Sequence, residues 1–349
     1  MPPTGGPSNP ARILVRAPNW VGDVVMATPA LRALRRAHPR AEIVLEGRPF
    51  LEPLVRGLPS LDGFLAEPPG RGLRATVARA RALRARAFDW AVLLPDSVRA
   101  ALAPFLARVP VRAGYARDGA RRALLTRSLA PPREAGRRVP IPMVERYLRV
   151  TRALGCPDQG EALELVVDAA AAERVAKRLA AAGLPPGAPL VVVTPGASFG
   201  ASKLWPPEHF ASACDGLARR HGLVAVLAPG PGEEALARAL ASRMKDPALV
   251  LVDPCTDLAE LAALLAGARL HLGNDTGPRQ MAVALGIPTV VLMGPTDPRH
   301  SAHALARQRV LREPVACSPC HRAVCPIDHR CMKRLAPERV LEAAAELLA

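Results

Sequence analysis

The sequence predicts an α/β protein with two similar halves, each built on a parallel sheet. Short apolar runs alternate with helix-compatible stretches, which is the pattern of consecutive βαβ units. The same rhythm restarts after a Pro/Arg-rich stretch near the middle of the chain. The length of 349 residues suits about two domains, each large enough to bury its own core. We therefore expect an N-terminal domain at 1–160 and a C-terminal domain at 161–349, with a site between them.

The first half begins with a Pro/Gly-rich leader, residues 1–10, which we expect to be disordered. Apolar runs predict strands at Ile13–Val15, Glu42–Glu46 and Ala91–Leu94. Helices are expected at Val24–Ala37, around Leu51–Leu58, at Leu73–Ala87 and near Val98–Ala107. Three further segments are a loop at Arg16–Asp23, a surface loop at Pro131–Pro142, and a helix at Met143–Leu154 that leads into the bridge Gly155–Glu164.

The second half repeats the alternation. Strands are expected at Leu190–Thr194, Leu223–Ala228, Ala248–Val252, Leu270–Gly273 and Thr289–Met293. Helices are expected near Pro207–Arg220, Glu233–Arg243, Leu258–Ala266 and Thr276–Leu285. A final amphipathic helix, Pro337–Leu348, has Pro at its first position, where the missing N–H costs nothing.

Composition indicates a globular chain, with 50% hydrophobic and 22% charged residues. No apolar run approaches the ~20 residues of a membrane span. The leader has no apolar core of the kind found in secretory signals, so we expect a cytoplasmic protein.

The net charge of +16 is concentrated in the first half. Residues 1–160 hold 27 Arg and no Lys against 12 Asp and Glu, a net charge of +15, whereas residues 161–349 are close to neutral at +1. An anionic partner is expected there: nucleic acid, an anionic membrane surface, or a phosphorylated and carboxylated acceptor. Aromatics at 3% and the lack of a nucleic-acid motif argue against the first. The alternative explanation of the charge excess is a coding bias toward Arg on solvated helix faces, without an anionic partner.

The first motif is Pro18–Asp23, continuing to Thr28–Pro29, directly after the first strand. In α/β sheets this position carries functional groups. Gly22 lets the backbone approach a ligand closely. Asp23 is either a helix cap or a general base toward an alcohol.

The second motif is the Gly/Ser loop Thr194–Lys203, followed by Leu204–Pro206. It lacks the Walker pattern, so it is not an ATPase loop. Lys203 is the only lysine between positions 178 and 245 of a chain that otherwise uses Arg. The ammonium of Lys203 would stabilise the negative charge of a diphosphate leaving group. The alternative interpretation is that Lys203 is an ordinary surface lysine.

The third motif, Asn274–Pro278, stands where a strand gives way to a helix. Backbone N–H groups at such a helix N-terminus bind phosphate. Asp275 is predicted to accept hydrogen bonds from sugar hydroxyls, and Thr276 to cap the helix or contact phosphate.

Four cysteines lie within 15 residues at Cys317, Cys320, Cys325 and Cys331, with His321 and His329 between them. In a cytoplasmic chain this spacing favours a structural metal over a disulfide framework, and zinc is the candidate metal. Reduced thiols and disulfides stay open as alternatives.

Together these motifs resemble the ADP-heptose:lipopolysaccharide heptosyltransferases of glycosyltransferase family 9, closest to the heptosyltransferase II branch. The resemblance covers nearly the whole chain. It is carried by Asn19–Asp23 with Thr28–Pro29, Met143–Tyr147, Pro195–Gly200 with Lys203–Pro206, Asn274–Pro278 and Gly294–Pro298.

The resemblance implies an inverting, metal-independent glycosyltransferase with the GT-B fold, in which two Rossmann-like domains hold the active site in the cleft between them. The first domain would bind a Kdo-lipid A or heptosyl-Kdo-lipid A acceptor at the cytoplasmic face of the inner membrane, as a peripheral protein, and the second would bind ADP-heptose. The resemblance assigns catalytic roles to Asp23 and Lys203. Donor binding falls to Thr194, Ser198, Glu233, Asp275, Thr276, Gly277 and Gln280.

One departure from the family pattern concerns Arg279–Gln280, which stand where the family has a Met-His or similar pair. Gln280 carries no proton or positive charge, and we expect Arg279 to supply the charge instead. Three alternatives stay open: a nucleotide-sugar epimerase of the same fold, a catalytically idle relative, and a basic nucleic-acid-binding protein. We expect no nucleic-acid partner.

Overall fold

The computed structural model describes residues 9–70 and 72–349. Residues 1–8 of the expected disordered leader therefore lie outside the described residues. The chain divides into an N-terminal unit that ends at Glu164 and includes Arg299–Ser301, and a C-terminal unit of Leu165–Pro298 with Ala302–Ala349. The predicted boundary at 160/161 lies four residues earlier than this division.

The N-terminal unit is a parallel sheet with helices. Its strands, as far as the chain is described, are β1 (Arg12–Arg16), β2 (Glu42–Gly47), β3 (Gly63–Ala66), β4 (Trp90–Leu93), β5 (Val111–Tyr115) and β6 (Arg127–Leu129), with a small exposed hairpin of β7 (Arg133–Glu134) and β8 (Arg137–Arg138). Its helices are α1 (Val21–Met26), α2 (Thr28–Ala37), α3 (Glu52–Val55), α4 (Leu73–Ala85), α5 (Val98–Leu106), α6 (Gly119–Leu124) and α7 (Met143–Arg152).

The C-terminal unit has the same architecture. Its strands are β9 (Leu190–Thr194), β10 (Val224–Leu227), β11 (Leu249–Val250), β12 (Ala268–Asn274), β13 (Thr289–Leu292) and β14 (Gln308–Leu311). Its helices are α8 (Ala169–Ala181), α9 (Pro207–His221), α10 (Glu234–Ala241), α11 (Leu258–Ala266), α12 (Gly277–Ala284), α13 (Arg330–Lys333) and α14 (Pro337–Leu348).

The two six-stranded sheets share the same strand order. Among the described residues the order is β3-β2-β1-β4-β5-β6 in the first unit and β11-β10-β9-β12-β13-β14 in the second, with every neighbouring pair parallel. The order reverses between the first and fourth strand of each sheet, and the carboxyl ends of those strands form the crevice in which such sheets bind ligands. All three predicted motifs follow one of these strands.

Burial explains why apolar runs predicted the central strands well. Parallel strands are covered on both faces, so they are continuously apolar; Leu190–Thr194 is buried along its whole length and has the predicted bounds. Helices Leu258–Ala266 and Pro337–Leu348 are also confirmed at their predicted bounds. No helix within the described ranges is both long and apolar enough to cross a bilayer.

Several elements differ from the prediction. The single helix expected at Val24–Ala37 is two helices, α1 and α2, with Ala27 between them and Pro29 at the second position of α2. Strands β3, β5, β6 and β14 and helix α8 were not predicted. Three of these strands, β3, β6 and β14, lie at sheet edges, and β5 lies between β4 and β6. Polar or glycine residues occur in all four, so their apolar pattern is weak.

Candidate functional site

Asn274 joins the two loops that follow β9 and β12. It is the last residue of β12 and is completely buried. Its Nδ2 donates to the carbonyl of Pro195 at 2.7 Å, and its Oδ1 accepts from the backbone N–H of Trp205 at 3.3 Å. The second and third motifs therefore lie side by side at the carboxyl edge of the C-terminal sheet.

The carboxylate of Asp275 was predicted to be available to sugar hydroxyls, and it already accepts three hydrogen bonds. Oδ1 accepts from Arg279 Nη1 at 2.8 Å, while Oδ2 accepts from Thr296 Oγ1 at 2.7 Å and Lys203 Nζ at 3.3 Å. Burial raises the pKa of Asp275, but the charges of Lys203 and Arg279 and the hydrogen bonds from Thr296 and Arg279 outweigh it and lower the pKa to about 2. Asp275 is thus an anion that holds two cations beside α12. Its heptose-binding role stays a prediction.

Lys203 is held in place rather than displayed at the surface. It ends a 3₁₀ turn, Ala201–Lys203, and its side chain is 13% exposed. Besides Asp275 Oδ2, its Nζ donates to the carbonyl oxygen of Asp275 at 2.6 Å, and it lies 5.4 Å from the ring centroid of Phe199. The ammonium therefore lies at the N-terminal end of α12, where a diphosphate is expected to bind.

The segment that contains the cysteines supports the Lys203 turn. The backbone N–H of Ser202 donates to the carbonyl of Ala323 at 3.0 Å, and its hydroxyl donates to the carbonyl of Arg322 at 2.5 Å. His329 Nε2 hydrogen bonds to the Ser202 carbonyl at 2.8 Å. A Cβ at Gly200, where φ is +147°, would approach the Ala323 carbonyl oxygen to 2.4 Å. Position 200 therefore needs glycine.

Glu233 packs against the start of the same loop. Its Oε2 accepts from the Gly230 backbone N–H at 2.8 Å. A Cβ built on Gly196 would fall within 1.7 Å of this carboxylate, so the glycine makes room for Glu233. The structure thus places Glu233, to which the family resemblance assigns donor binding, next to the β9 loop.

The other predicted donor-binding residues differ in their exposure and in the hydrogen bonds that they make. Thr276 is the N-cap residue of α12, yet its side chain makes no cap hydrogen bond; its hydroxyl donates to the Asn274 carbonyl at 3.3 Å. Gly277 begins the helix, and Ser198 is exposed in the β9 loop. Thr194 is buried, and its Oγ1 lies 2.9 Å from His271 Nε2, so its hydroxyl serves the sheet in this structure.

The Arg279–Gln280 pair is buried under the site. Arg279 bonds Asp275 and donates from Nε to Gln308 Oε1 at 2.9 Å. Gln280 Oε1 lies 2.8 Å from Nε2 of buried His303. Arg279 therefore places its charge on Asp275, and Gln280 hydrogen bonds with His303; its donor-binding role stays a prediction.

In the N-terminal unit, Asp23 follows β1 as predicted. The expected loop to Asp23 is shorter, because α1 already begins at Val21 and has Trp20 at its N-cap, so Asp23 is the third residue of the helix. Asp23 is half-buried. Burial raises the pKa of Tyr147 well above its usual value, and the negative charge of Asp23 adds to this effect. Asp23 thus lies close enough to act electrostatically on Tyr147.

The seven cysteines form no disulfide bonds with one another in this structure, and Cys331 is buried while Cys317 is exposed. Burial raises the pKa of Cys331, and the charges of Cys317, Cys325 and Cys320 add to it. Among residues 9–70 and 72–349, no three His, Cys, Asp or Glu side chains are grouped as they would be around a metal ion. The structural metal at the four cysteines stays a prediction.

Asp275 is expected to stabilise the fold at neutral pH and to lose that contribution in acid. Its pKa of about 2 is below the ordinary 3.8, so the stabilisation is complete above the unfolded pKa and disappears as pH falls through the folded one. The shift is worth about 2 kcal/mol in total, of which about 1 kcal/mol is lost by pH 3. In urea titrations from pH 6 to pH 3, the difference in unfolding free energy between the parent and Asp275→Asn should shrink accordingly.

Glu346→Gln is the matched control for this prediction, because Glu346 forms an exposed ion pair with Arg309 at 2.7 Å. Exposed pairs contribute little, so its difference from the parent should stay small at every pH. A parallel pH dependence for both variants would contradict the role given to Asp275.

Sequence reasoning missed the residues that arrange the site. Arg279 is predicted to supply a positive charge but not to bind Asp275, Thr296 is part of the Gly294–Pro298 motif without a role of its own, and the contact of His329 with Ser202 is not predicted. A helical spacing of four residues signals that Arg279 can reach Asp275. The spacing of 127 residues between His329 and Ser202 carries no such signal.

Known proteins resemble this chain in sequence and fold. The model of glycosyltransferase family 9 (heptosyltransferase) matches residues 76–330. The lipopolysaccharide heptosyltransferase 2 of Salmonella typhimurium is 29% identical over 348 residues, covering 97% of this chain and 98% of that protein. The structure of E. coli ADP-heptose LPS heptosyltransferase II is similar with a TM-score of 0.78 at 26% identity, covering 97% and 98% of the two chains. A glycosyltransferase family 9 structure from Veillonella parvula, 22% identical, has a TM-score of 0.83 and covers 97% of each chain. The predicted fold class is confirmed.

Proposed function

The chain belongs to glycosyltransferase family 9, and from this membership we propose that it is a heptosyltransferase of lipopolysaccharide core biosynthesis. We propose ADP-L-glycero-D-manno-heptose as the donor and the inner-core heptose of a Kdo-lipid A acceptor as the substrate that receives it. The observation that carries the donor assignment is Lys203 Nζ, fixed 2.6 Å from the Asp275 carbonyl at the N-terminal end of α12. An ammonium and a helix N-terminus together suit a diphosphate.

The proposed reaction is a single displacement with inversion at the anomeric carbon. Asp23 takes the proton from the acceptor hydroxyl while that oxygen forms the new bond to the anomeric carbon. The bond from the anomeric carbon to the diphosphate oxygen breaks, and ADP leaves with its electron pair. Lys203 and the first backbone N–H groups of α12, at Thr276 and Gly277, stabilise the negative charge that develops on the leaving group. Protein groups supply this stabilisation, so the proposal includes no metal cofactor.

The charge distribution supports assigning the acceptor to the N-terminal domain and the donor to the C-terminal domain. A net charge of +15 in residues 1–160 suits the phosphates and carboxylates of the acceptor. Because that acceptor is anchored in lipid, we propose that the enzyme works as a peripheral protein at the cytoplasmic face of the inner membrane. The epimerase and nucleic-acid-binding alternatives are not favoured by the family match.

The test is a transfer assay with purified protein, ADP-heptose and defined truncated lipopolysaccharides, read by product mass and linkage. We expect one heptose to be added to the acceptor that already carries one heptose. Conversion of the nucleotide sugar without an acceptor would support an epimerase instead. Salt-sensitive DNA binding without affinity for ADP-heptose would support the nucleic-acid reading.

A further inference from the structure

Ser202, the residue before Lys203, has its polar groups bound by one distant segment of the chain, residues 320–329. Its backbone N–H donates to the carbonyl of Ala323 at 3.0 Å, its hydroxyl donates to the carbonyl of Arg322 at 2.5 Å, and its own carbonyl oxygen lies 2.8 Å from His329 Nε2. Ser202 is also buried, at 2% exposure. Because neighbouring residues share a planar peptide, these three bonds fix the backbone from which the Lys203 side chain extends.

The hydrogen bond between His329 and Ser202 has a defined direction. A carbonyl oxygen only accepts, so His329 Nε2 carries the hydrogen and donates it. The two residues are 127 positions apart, and both belong to the C-terminal unit. The imidazole therefore acts on the Lys203 turn only once this unit has folded.

The backbone of His329 adopts an unfavourable conformation. Its φ is +61° and its ψ is +27°, in the left-handed region that few residues other than glycine occupy. Its carbonyl accepts from the N–H groups of Met332 and Lys333, at 3.1 and 3.0 Å, and so begins α13. Strained backbone that its surroundings maintain is typical of residues that clamp a functional site.

The core of the C-terminal unit anchors His329 in this position. Cys331 and Met332, which follow it in α13, are 8% and 0% exposed and belong to that core. Both pack against Gly294, where a Cβ would approach Met332 Sδ to 2.6 Å and Cys331 Sγ to 2.8 Å. The imidazole thus extends toward Ser202 from a backbone that cannot shift without disturbing buried side chains.

The 320–329 segment also binds the loop that carries Thr296. The backbone N–H groups of Cys320 and His321 both donate to the carbonyl of Pro295, at 3.0 and 2.9 Å. Thr296 follows Pro295 and donates to Asp275 Oδ2 at 2.7 Å. The segment therefore links the two loops whose side chains bind the same carboxylate.

We propose that His329 is a positioning residue for the diphosphate of the nucleotide sugar: through Ser202 it sets where the Lys203 ammonium lies as the leaving group develops its charge. A group that is already in place stabilises this charge without reorganisation, and a displacement of about 1 Å removes much of the effect. The inference rests on the proposed function, because it takes the Lys203 site as the diphosphate site. It gives the cysteine-containing segment a role at the donor site that does not involve its thiols.

The first test separates the hydrogen bond of His329 from its backbone conformation. Asparagine tolerates the left-handed region but is too short to reach the Ser202 carbonyl, whereas glutamine reaches it with its amide nitrogen but does not favour that backbone. In calorimetry, His329→Asn should lose roughly three- to tenfold in ADP affinity, the usual effect of one lost hydrogen bond, and His329→Gln should stay within about threefold of the parent.

Urea titrations of the same two variants exclude a merely structural role. The unfolding free energy should rank them the other way, with His329→Asn at least as stable as His329→Gln, because only asparagine suits the backbone. ADP affinity that follows stability across the two variants would overturn the proposal.

A double-mutant comparison tests whether His329 acts through Lys203. In the Lys203→Ala background, His329→Asn should change ADP affinity and turnover by no more than about twofold, since the group that it positions is missing. In the parent background turnover should fall by roughly tenfold or more, further than affinity, because the leaving group carries more charge in the transition state. Losses that multiply in the double variant would contradict an action through Lys203.

His321→Asn is the matched control, since His321 lies in the same segment with an exposed side chain and a left-handed backbone at φ +54°. It should bind ADP as the parent does. Ser202→Ala provides a second variant in case His329→Asn does not fold: it removes the hydroxyl bond to Arg322 and should also weaken ADP binding. Equal ADP binding by the parent, His329→Asn and Ser202→Ala would overturn this inference alone, whereas a parent that does not bind ADP would overturn the proposed function.

Discussion

Replacing Asp23 with alanine is expected to lower the turnover number for heptose transfer by roughly 10²–10⁴, the usual effect of losing a general base. Affinity for ADP-heptose should stay nearly unchanged, because Asp23 belongs to the N-terminal unit and the proposed donor-binding groups belong to the C-terminal unit. Steady-state rates and calorimetry with ADP-heptose together check both parts of this prediction.

Two controls separate catalysis from a structural role for Asp23. Asp23→Asn keeps the shape of the side chain but replaces one carboxylate oxygen with an NH2 donor and cannot accept a proton as a carboxylate does, so it should be as inactive as the alanine variant. Glu52→Ala removes an exposed acid of the same unit and should leave the rate unchanged. A rate for Asp23→Asn within a few-fold of the parent would show that Asp23 only supports the helix.

The central strands were predictable because their burial on both faces imposes an apolar sequence. Val191, Val192 and Val193 are completely buried, so the run around them identifies β9 without further information. The strand β5, Val111–Tyr115, includes an arginine and a glycine and was missed. Gly114 is required there, because a Cβ would lie 2.7 Å from the carbonyl oxygen of Leu93. A close approach between neighbouring strands thus removed the signal from which the strand would have been predicted.

The position of the candidate site was predictable, whereas its internal contacts were not. Motifs after β1, β9 and β12 indicated where functional groups gather, since parallel strands end at a common edge. The sequence did not show that Asp275 also binds Lys203 and Thr296, because these residues are 72 and 21 positions away from it. Only the folded chain shows that an aspartate predicted to contact sugar first organises the cations around it.

Lys203→Ala is expected to weaken donor binding and turnover together. Removing one preorganised group that stabilises a developing negative charge lowers kcat by roughly 10²–10³. The ammonium is present before the donor binds, fixed by the carbonyl and carboxylate of Asp275, so affinity for ADP should also fall, by about tenfold or more. Arg279 and Thr296 still bind Asp275 in this variant, so the β12–α12 turn should keep its structure.

A comparison of ADP with adenosine tests whether the affinity lost in Lys203→Ala is affinity for the diphosphate. Adenosine has no phosphate, so its affinity should be the same in the parent and in Lys203→Ala, while calorimetry shows the loss for ADP and ADP-heptose. Lys177→Ala is the matched control, since Lys177 is an exposed lysine paired with Glu173 on α8 of the same unit. Unchanged ADP affinity in Lys203→Ala, or an equal loss for adenosine, would place the diphosphate away from the N-terminal end of α12 and remove the main support for the proposed donor site.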